Sequence, residues 1–209
     1  MKATTTLNKI AGLKKRIRVI QGGQGAGKTY AILTILINHA LSHNNKEIFI
    51  VSHELSKMRI TVIKDFINIC KSIGIYQTNT MKMTGGTHAS FNNGSFIRFL
   101  GLDKEDIGKG LRSDVVFVNE CNKVKFESYR ELTSRAENIF LDFNPNAKFW
   151  VHDEVIKRND SQFITVTFKD NEFLSQTEVD EILRYYSLGY DENGNEINPY
   201  WANMWRVYG

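Results

Sequence analysis

The stretch Ile17–Tyr30, which reads IRVIQGGQGAGKTY, decides the fold of this chain. Gly22, Gly27, Lys28 and Thr29 fit the pattern G-x-x-x-x-G-K-[ST] at every fixed position. Apolar residues before the glycines predict a strand, and the helical spacing of apolar residues after them predicts a helix. In this strand–loop–helix context the pattern indicates a phosphate-binding loop rather than an ordinary glycine-rich turn.

Each part of this loop has a chemical role in binding a nucleotide. The glycines let backbone N–H groups point inward, and the start of the following helix adds its positive end. We expect Lys28 to reach the β- and γ-phosphates and the Thr29 hydroxyl to bind Mg²⁺. The predicted nucleotide-contacting residues are Gly22, Gly23, Gln24, Gly25, Ala26, Gly27, Lys28, Thr29 and Tyr30.

The composition is that of a folded domain. The 209 residues suit one domain, and the hydrophobic fraction of 42% is enough for a core. There are only two cysteines, so a disulfide framework is not expected and a reduced cytosolic setting fits. No apolar run is long enough to span a membrane, and the N-terminus lacks a signal-peptide core. The net charge of +4 is compatible with a polyanionic partner but alone decides little.

The first half of the chain alternates between strands and helices. Residues 1–16 are predicted to form a short helix or arm, and a helix is predicted over residues 27–42. Glu47–Ser52 is apolar and predicts a buried strand, whereas Lys57–Ile73 has helical spacing up to the stop signal Gly74. This alternation is typical of a parallel sheet covered by helices.

The second half adds a hairpin and then returns to the alternation. Asn92-Asn93-Gly94-Ser95 between two apolar runs predicts a β-hairpin within residues 79–100, either as an insertion or as an antiparallel edge. A charged loop, Asp103–Arg112, follows. The remaining predicted elements are a central strand at Val115–Val118, a helix at Phe126–Ala136, a strand at Ile139–Phe143, a helix at Phe149–Lys157, a strand at Gln162–Phe168 and a helix at Ser175–Leu188.

The second part of a nucleotide site should be a hydrophobic strand that ends in acid. Val115–Val118 is that strand, but Asn119 stands where an Asp that holds the Mg²⁺ shell is usual. A neutral amide can hydrogen-bond a metal-bound water but gives the metal no charge. Glu120 stands where a general base should stand, although it would also serve as a cap for the next helix. The segment Asn122–Lys125 fails the Asn-Lys-x-Asp pattern, so guanine specificity has no support.

Two further polar residues fit roles in hydrolysis. Asn144 follows the strand after the acid-bearing one, where a polar side chain can touch the γ-phosphate and report its loss. It equally fits a turn signal, because Asn-Pro is common in turns. Arg112 precedes the acid-bearing strand. It is far from the nucleotide site of its own chain but able to face the nucleotide site of a neighbouring subunit. It fits an arginine finger acting in trans, and also a solvated loop arginine.

The order of the motifs resembles the ATPase domain of bacteriophage large terminase subunits, over nearly the whole chain. The segments that carry this resemblance are GGQGAGKT, IFIVSHELSKMRITV, the hairpin, GKGLRSDVVFVNE, LDFNPNAKFW and TFKDNEFL. The resemblance implies an α/β P-loop NTPase of the additional-strand class, with a mainly parallel central sheet flanked by helices and an inserted β-hairpin. It also implies an ATP-driven motor that pumps double-stranded DNA into a procapsid.

The resemblance implies partners and a location as well. A motor of this family works as a homo-oligomeric ring on the portal protein, together with the small terminase subunit, in the cytoplasm of the infected bacterial host. No membrane partner is expected. For DNA, the chain offers basic residues in and near the loops, whose phosphate contacts would be independent of base sequence and sensitive to salt. These residues are Lys57, Arg59, Lys104 and Lys109.

Carried over from the family, Lys28 and Thr29 bind phosphate and Mg²⁺, and Glu120 is the catalytic acid. Asn144 couples hydrolysis to movement, and Arg112 is the candidate finger. The metal shell would comprise Thr29, Asn119 and Glu120.

Three positions depart from the common family pattern. Gln24 stands where many terminases have an arginine in the loop, and His53 stands where many have an arginine after the second strand. Asn119 replaces the commoner Asp, although one branch of terminases shows a similar Asn-Glu pair.

The expected organisation is a single ATPase domain over residues 1–209. Residues 1–16 form an N-terminal arm, and residues 170–209 form a C-terminal subdomain or linker toward the RNase-H-like nuclease domain that family members usually carry. The acids after Asn146 are scattered rather than clustered, so we expect no DNA cleavage by this chain.

Three alternatives stay open at this point. A helicase-like DNA-stimulated ATPase would need a second core, for which 209 residues leave no room. A small-molecule kinase would need an acceptor-binding lid and no base at Glu120. A non-hydrolysing nucleotide-binding module is compatible with Asn119 and Gln24, and an ATPase assay with and without linear double-stranded DNA separates it from a motor.

Overall fold

The computed structural model describes residues 3–103 and 112–209. Within these residues eight strands form one sheet. The strands are β1 Ile17–Gly22, β2 Glu47–Ser52, β3 Met81–Thr84, β4 His88–Phe91, β5 Phe96–Gly101, β6 Ser113–Val118, β7 Ala136–Phe143 and β8 Ser161–Val166. The helices are α1 Thr5–Ala11, α2 Lys28–Ser42, α3 Leu55–Ile60, α4 Val62–Ser72, α5 Phe126–Thr133, α6 Gln176–Gly189 and α7 Pro199–Tyr208.

The order of strands across the sheet is β3-β4-β5-β2-β6-β7-β1-β8. In this order, each neighbouring pair in the part β5-β2-β6-β7-β1-β8 is parallel. The pairs β3-β4 and β4-β5, at one edge of the sheet, are antiparallel. The predicted hairpin is therefore an antiparallel edge of the sheet. β7 lies between β1, which enters the phosphate-binding loop, and β6, which ends at Asn119, and this is the arrangement of the additional-strand class.

The register of β7 decides which side chains meet at the carboxyl edge of the sheet. Leu141 of β7 pairs with Val118 of β6 and with Val19 of β1. One residue further, Asp142 comes level with the end of β6. The residues that follow β1, β6 and β7 therefore converge at one place, which is where parallel sheets bind their ligands.

Apolar residues cover both faces of this sheet, as expected for strands that are continuous hydrophobic runs. On one face α1, α2 and α4 pack on β1, β2 and β5 through residues such as Ile32, Leu36 and Phe66, which are fully buried. On the other face α5 and the segment after β7 cover β6 and β7, with Trp150 stacked on Tyr129. The core therefore holds β1, β6 and β7 rigidly behind the edge where their ends meet.

Three predicted helices differ from those in the structure. The helix predicted over Phe126–Ala136 ends at Thr133, and Ala136 is the first residue of β7. The helix predicted over Lys57–Ile73 is broken into α3 and α4 at Thr61, whose backbone (φ −119°, ψ −92°) lies outside the helical region. The helix predicted over Phe149–Lys157 is a short π-helical segment, Val151–Val155. Apolar spacing continues through the last two of these segments, so it indicates which face is buried but not where the backbone hydrogen-bonding pattern changes.

The C-terminal residues form a helical hairpin. Ser175 and Glu178 form a capping box that starts α6, and the side chain of Asn198 caps α7 ahead of Pro199. The two helices pack through stacked rings, as in the pair Tyr185 and Trp201. No helix within the described ranges, 3–103 and 112–209, is long and apolar enough to cross a membrane.

Candidate nucleotide-binding site

The loop between β1 and α2 turns tightly, and its backbone requires glycine at several positions. Gly25 and Gly27 have φ values of +86° and +73°, which side-chain-bearing residues rarely adopt. At Gly23 the need is space, because an added Cβ would lie 2.6 Å from the carbonyl oxygen of Tyr208 in α7. The predicted strand–loop–helix arrangement is therefore present, and α7 lies directly against the outer side of the loop.

The side chain of Lys28 fills the inside of the loop. Its Nζ donates to the carbonyl oxygens of Gly22 at 2.7 Å and Gly23 at 3.1 Å, and to Asn144 Oδ1 at 2.9 Å. Burial lowers the pKa of Lys28, while the nearby carboxylates of Asp142 and Glu120 act in the opposite direction. The ammonium group thus lies inside the loop, bonded to the loop's own carbonyls, and Asn144 contacts it directly.

Asp142 is a site residue that the motif analysis did not single out. Its buried carboxylate accepts hydrogen bonds from Thr29 Oγ1 at 2.9 Å, from the Glu120 backbone N–H at 2.7 Å and from Asn119 Nδ2 at 3.1 Å. Desolvation by burial raises its pKa, and the charge of Lys28 opposes that shift. One signal in the sequence points to it, because an acid inside the apolar run Ile139–Phe143 is rare unless it is paired.

The geometry gives Asn119 a different contact from the one expected. Its side chain is buried, and its NH₂ group faces both oxygens of Asp142, at 3.1 and 3.3 Å. A carboxylate only accepts hydrogen bonds, so this orientation of the amide follows from chemistry. The same NH₂ group lies 3.4 Å from Thr29 Oγ1. Asn119 therefore holds Asp142 rather than pointing into open solvent.

Glu120 stands immediately after β6 in a strained backbone conformation. Its φ of +51° is in the left-handed region, where non-glycine residues are uncommon and which often marks functional positions. The hydrogen bond from its N–H to Asp142 holds this conformation in place. Its carboxylate is about half exposed and pairs with Lys123 Nζ at 2.7 Å. The expected base is at the edge of the site, with its carboxylate bound to a neighbouring cation.

Residues distant in sequence hold the outer side of the loop. Thr6 Oγ1 donates to the carbonyl of Ala26 at 2.7 Å, and Asn171 Nδ2 donates to the carbonyl of Gly25 at 2.6 Å. Thr6 belongs to α1, and Asn171 follows the 3-10 turn after β8. Neither was identified from the sequence, since a polar residue in a turn or a short helix gives no sign of its distant partner.

The other predicted residues lie away from this cluster. Arg112 is exposed and precedes β6, at the opposite edge of the sheet from Asn119, about 20 Å away at roughly 3.3 Å per strand residue. Gln24 is exposed at the tip of the loop. Lys57 and Arg59 are exposed on α3, where Lys57 pairs with Glu54 at 2.7 Å. Lys104 and Lys109 lie outside the described residues.

The donor set at this edge suits a magnesium ion bound together with a nucleotide. Among the residues that the structure describes, no cluster of three or more acidic, His or Cys side chains is able to hold a metal ion alone. Mg²⁺ is commonly held by one or two carboxylates together with water and substrate phosphates. The Asp142 carboxylate beside the Thr29 hydroxyl, next to the loop, meets that description.

Comparison with known proteins agrees with this fold. A family model described as phage terminase large subunit matches residues 14–198. The large terminase of a thermophilic bacteriophage has a TM-score of 0.74 at 17% identity, covering 90% of this chain and 51% of that one. The same protein in complex with ADP has a TM-score of 0.73 at 17% identity, covering 89% and 50%. No curated protein matches the sequence.

A solved ATPase domain is covered more completely. The ATPase domain of the Thermus phage P74-26 large terminase has a TM-score of 0.66 at 12% identity, with 99% of this chain and 92% of that domain covered. The chain thus spans about half the length of the thermophilic bacteriophage's large terminase and most of the length of this ATPase domain. At these identities the likeness shows a common fold, that of the P-loop NTPases.

Proposed function

Because this chain belongs to the phage terminase large subunit family, we propose that it is an ATP-hydrolysing motor domain that translocates double-stranded DNA into a procapsid. The observation that carries the proposal is the cluster of Lys28, Thr29, Asp142 and Asn144 at the carboxyl ends of β1 and β7. It combines a phosphate-binding loop, an acceptor for a metal-binding hydroxyl and a polar side chain that contacts the loop lysine.

The residues would divide the work of hydrolysis as follows. Phosphate oxygens would replace the carbonyls of Gly22 and Gly23 as partners of the Lys28 ammonium group. Thr29 would bind Mg²⁺, which supplies neutralisation of the phosphate charge when bound. Glu120 would accept a proton from the attacking water. The Lys28 side chain would turn to the γ-phosphate, and Asn144 would then lose its contact with Lys28.

The ADP complex of the thermophilic bacteriophage's large terminase supports nucleotide binding at a site on this fold. We propose that this chain binds Mg²⁺ and the DNA duplex and works as a homo-oligomeric ring. Its proposed protein partners are the portal protein and the small terminase subunit. The host cytoplasm is the proposed location.

The test is a steady-state ATPase assay with and without linear double-stranded DNA, on the wild type and on Lys28→Ala and Glu120→Gln. We expect slow turnover by the wild type and its stimulation by DNA. Lys28→Ala should lose ATP binding, because the loop loses its cation, whereas Glu120→Gln should bind ATP without hydrolysing it. Nucleotide binding by the wild type without turnover under any condition would instead indicate a binding module, and wild-type turnover by Glu120→Gln would refute the assignment of the base.

A further inference from the structure

The cluster contains a buried carboxylate at a position that the motif pattern does not assign to an acid. The acid-bearing strand β6 ends in Asn119, which gives no charge to a metal ion. The neighbouring strand β7 carries Asp142 one residue beyond the pairing of Leu141 with Val118. Because β7 lies between β1 and β6, one carboxylate on it reaches both the Thr29 hydroxyl and the end of β6.

We propose that Asp142 is the positioning carboxylate of the magnesium site, in place of the acid that Asn119 lacks. The inference rests on the proposed function, since it concerns the metal that accompanies the nucleotide. It places the negatively charged group of the metal site on β7, the strand between β1 and β6.

The direction of the Thr29 hydrogen bond is the first argument. A hydroxyl has one hydrogen to donate and two lone pairs with which to accept. The Thr29 hydroxyl gives its hydrogen to Asp142 Oδ2 at 2.9 Å. One lone pair accepts from the Asn119 NH₂ group at 3.4 Å, and the other is left for a cation. Asp142 therefore fixes the hydroxyl in the orientation that metal binding requires.

The contacts of Asn119 and Glu120 are the second argument. The Asn119 NH₂ group and the Glu120 N–H both donate to Asp142. The side chain that occupies the usual acid position thus serves as a donor that holds the carboxylate. Through the Glu120 N–H, the same carboxylate also fixes the backbone of the expected base.

Burial and charge are the third argument. An ionised carboxylate away from water is costly unless a cation or several donors compensate it. Lys28 is the nearby cation, but its Nζ bonds to Gly22, Gly23 and Asn144 rather than to Asp142. With Lys28 engaged by phosphates, a divalent cation held by Thr29 would supply the positive charge that balances Asp142.

The experiment moves the negative charge from β7 to β6. The variants are Asp142→Asn, Asn119→Asp and the double variant N119D/D142N, which returns the acid to β6. The matched control is Asp114→Asn, because Asp114 also accepts a backbone N–H, from Glu47, and a lysine, Lys46, but at the opposite edge of the sheet. Two quantities are measured: ADP affinity in EDTA, and Mn²⁺ affinity of the ADP-bound protein by electron paramagnetic resonance.

We expect Asp142→Asn to weaken Mn²⁺ binding by about 10- to 100-fold, the usual effect of removing a group that orients a metal ligand. Its ADP affinity in EDTA should stay the same or increase, because a negative charge near the phosphates is gone. The double variant should recover Mn²⁺ binding, and Asp114→Asn should behave as the wild type. If Asp142→Asn does not fold, the double variant is compared with the wild type, and a Mn²⁺ affinity about 10-fold or more below that of the wild type overturns the proposal.

Two results would overturn the proposal. One is wild-type Mn²⁺ affinity in Asp142→Asn. The other is a double variant that binds Mn²⁺ no better than Asp142→Asn, since the shape of β7 rather than its charge would then be what matters. Failure of the wild type to bind ADP at all, with or without metal, is a different result and would refute the proposed function itself.

Discussion

Glu120, the proposed catalytic base, forms an ion pair with Lys123 in the free chain. Both side chains are about half exposed, so the ion pair is worth at most about 1 kcal/mol. A base that accepts a proton from water must first give up this partner. If Glu120 is the base, the pair would therefore restrain hydrolysis modestly.

We predict that Lys123→Ala raises the basal ATPase rate by up to about fivefold, which corresponds to the loss of about 1 kcal/mol. The reason is that Glu120 no longer has to leave a cation before it contacts water. The measurement is steady-state phosphate release without DNA. Lys125→Ala is the control, since it removes the same charge two residues away, and a lower rate in Lys123→Ala would show that Lys123 assists catalysis.

Motif reasoning found the loop lysine and the polar residue Asn144 but missed Asp142. The pattern fixes the position of an acid relative to its own strand, so it indicates Asn119 and Glu120. The contact of Asp142 with Thr29 depends on β7 lying between β1 and β6. Strand order is a property of the whole sheet, and no local pattern encodes it. The sequence gives one indication of the role of Asp142, because an acid within a buried strand is rare unless it is paired.

At the level of elements, the strands were easier to predict than the helices. Continuous apolar runs gave β2 with its observed bounds, and Asn93-Gly94 gave the turn between β4 and β5. The break at Thr61 was missed because the apolar positions of α3 and α4 continue the same spacing. At the break the Thr61 hydroxyl donates to the carbonyl oxygen of Lys57 at 3.0 Å, a local bond that apolar periodicity does not report.

The element with the clearest expected role in DNA binding is α3. Lys57 and Arg59 are exposed on it, and it follows β2 at the same edge of the sheet as the loop. We predict that the double variant K57A/R59A weakens binding of the chain to double-stranded DNA. It should also reduce the slope of log affinity against log salt by about 1 for each lost phosphate contact. Fluorescence anisotropy over a salt series measures both quantities.

Lys157→Ala is the control for this prediction. Lys157 is as exposed as Lys57 and also pairs with an acid one turn away, Asp153, but it lies outside α3. It should leave the affinity and the salt slope unchanged. Lys157→Ala removes one positive charge and K57A/R59A removes two, so a loss in Lys157→Ala about half as large as that in K57A/R59A would show that only overall charge matters. No loss in either would exclude α3 as a DNA contact.

On the scale of the assembled molecule, the position of Arg112 matters most. It lies at the edge of the sheet opposite to the loop, too far from its own site to touch a nucleotide there. We predict that Arg112→Ala hardly alters the slow rate of the isolated chain. In the assembled motor the same change should lower the rate by about 10³–10⁵, the usual contribution of an arginine finger.

Mixed assemblies distinguish action in trans from a structural role. Subunits with Arg112→Ala keep their base, and subunits with Glu120→Gln keep their finger. Each homogeneous motor should be inactive, whereas mixed motors should regain part of the ATPase rate because an intact base meets a neighbour's arginine. Mixed motors no more active than either parent would mean that Arg112 acts within its own subunit or only holds the fold.

The position of the acid on β7 also constrains how such a sequence arises by descent. An ancestor with the acid on β6 reaches the present arrangement through two substitutions, and their order matters. If the acid on β6 is lost first, the intermediate has no carboxylate beside Thr29 and no means of orienting its hydroxyl. If the acid on β7 is gained first, the intermediate keeps a carboxylate beside Thr29 at every step. Lineages that carry an acid on both strands are therefore the expected historical bridge.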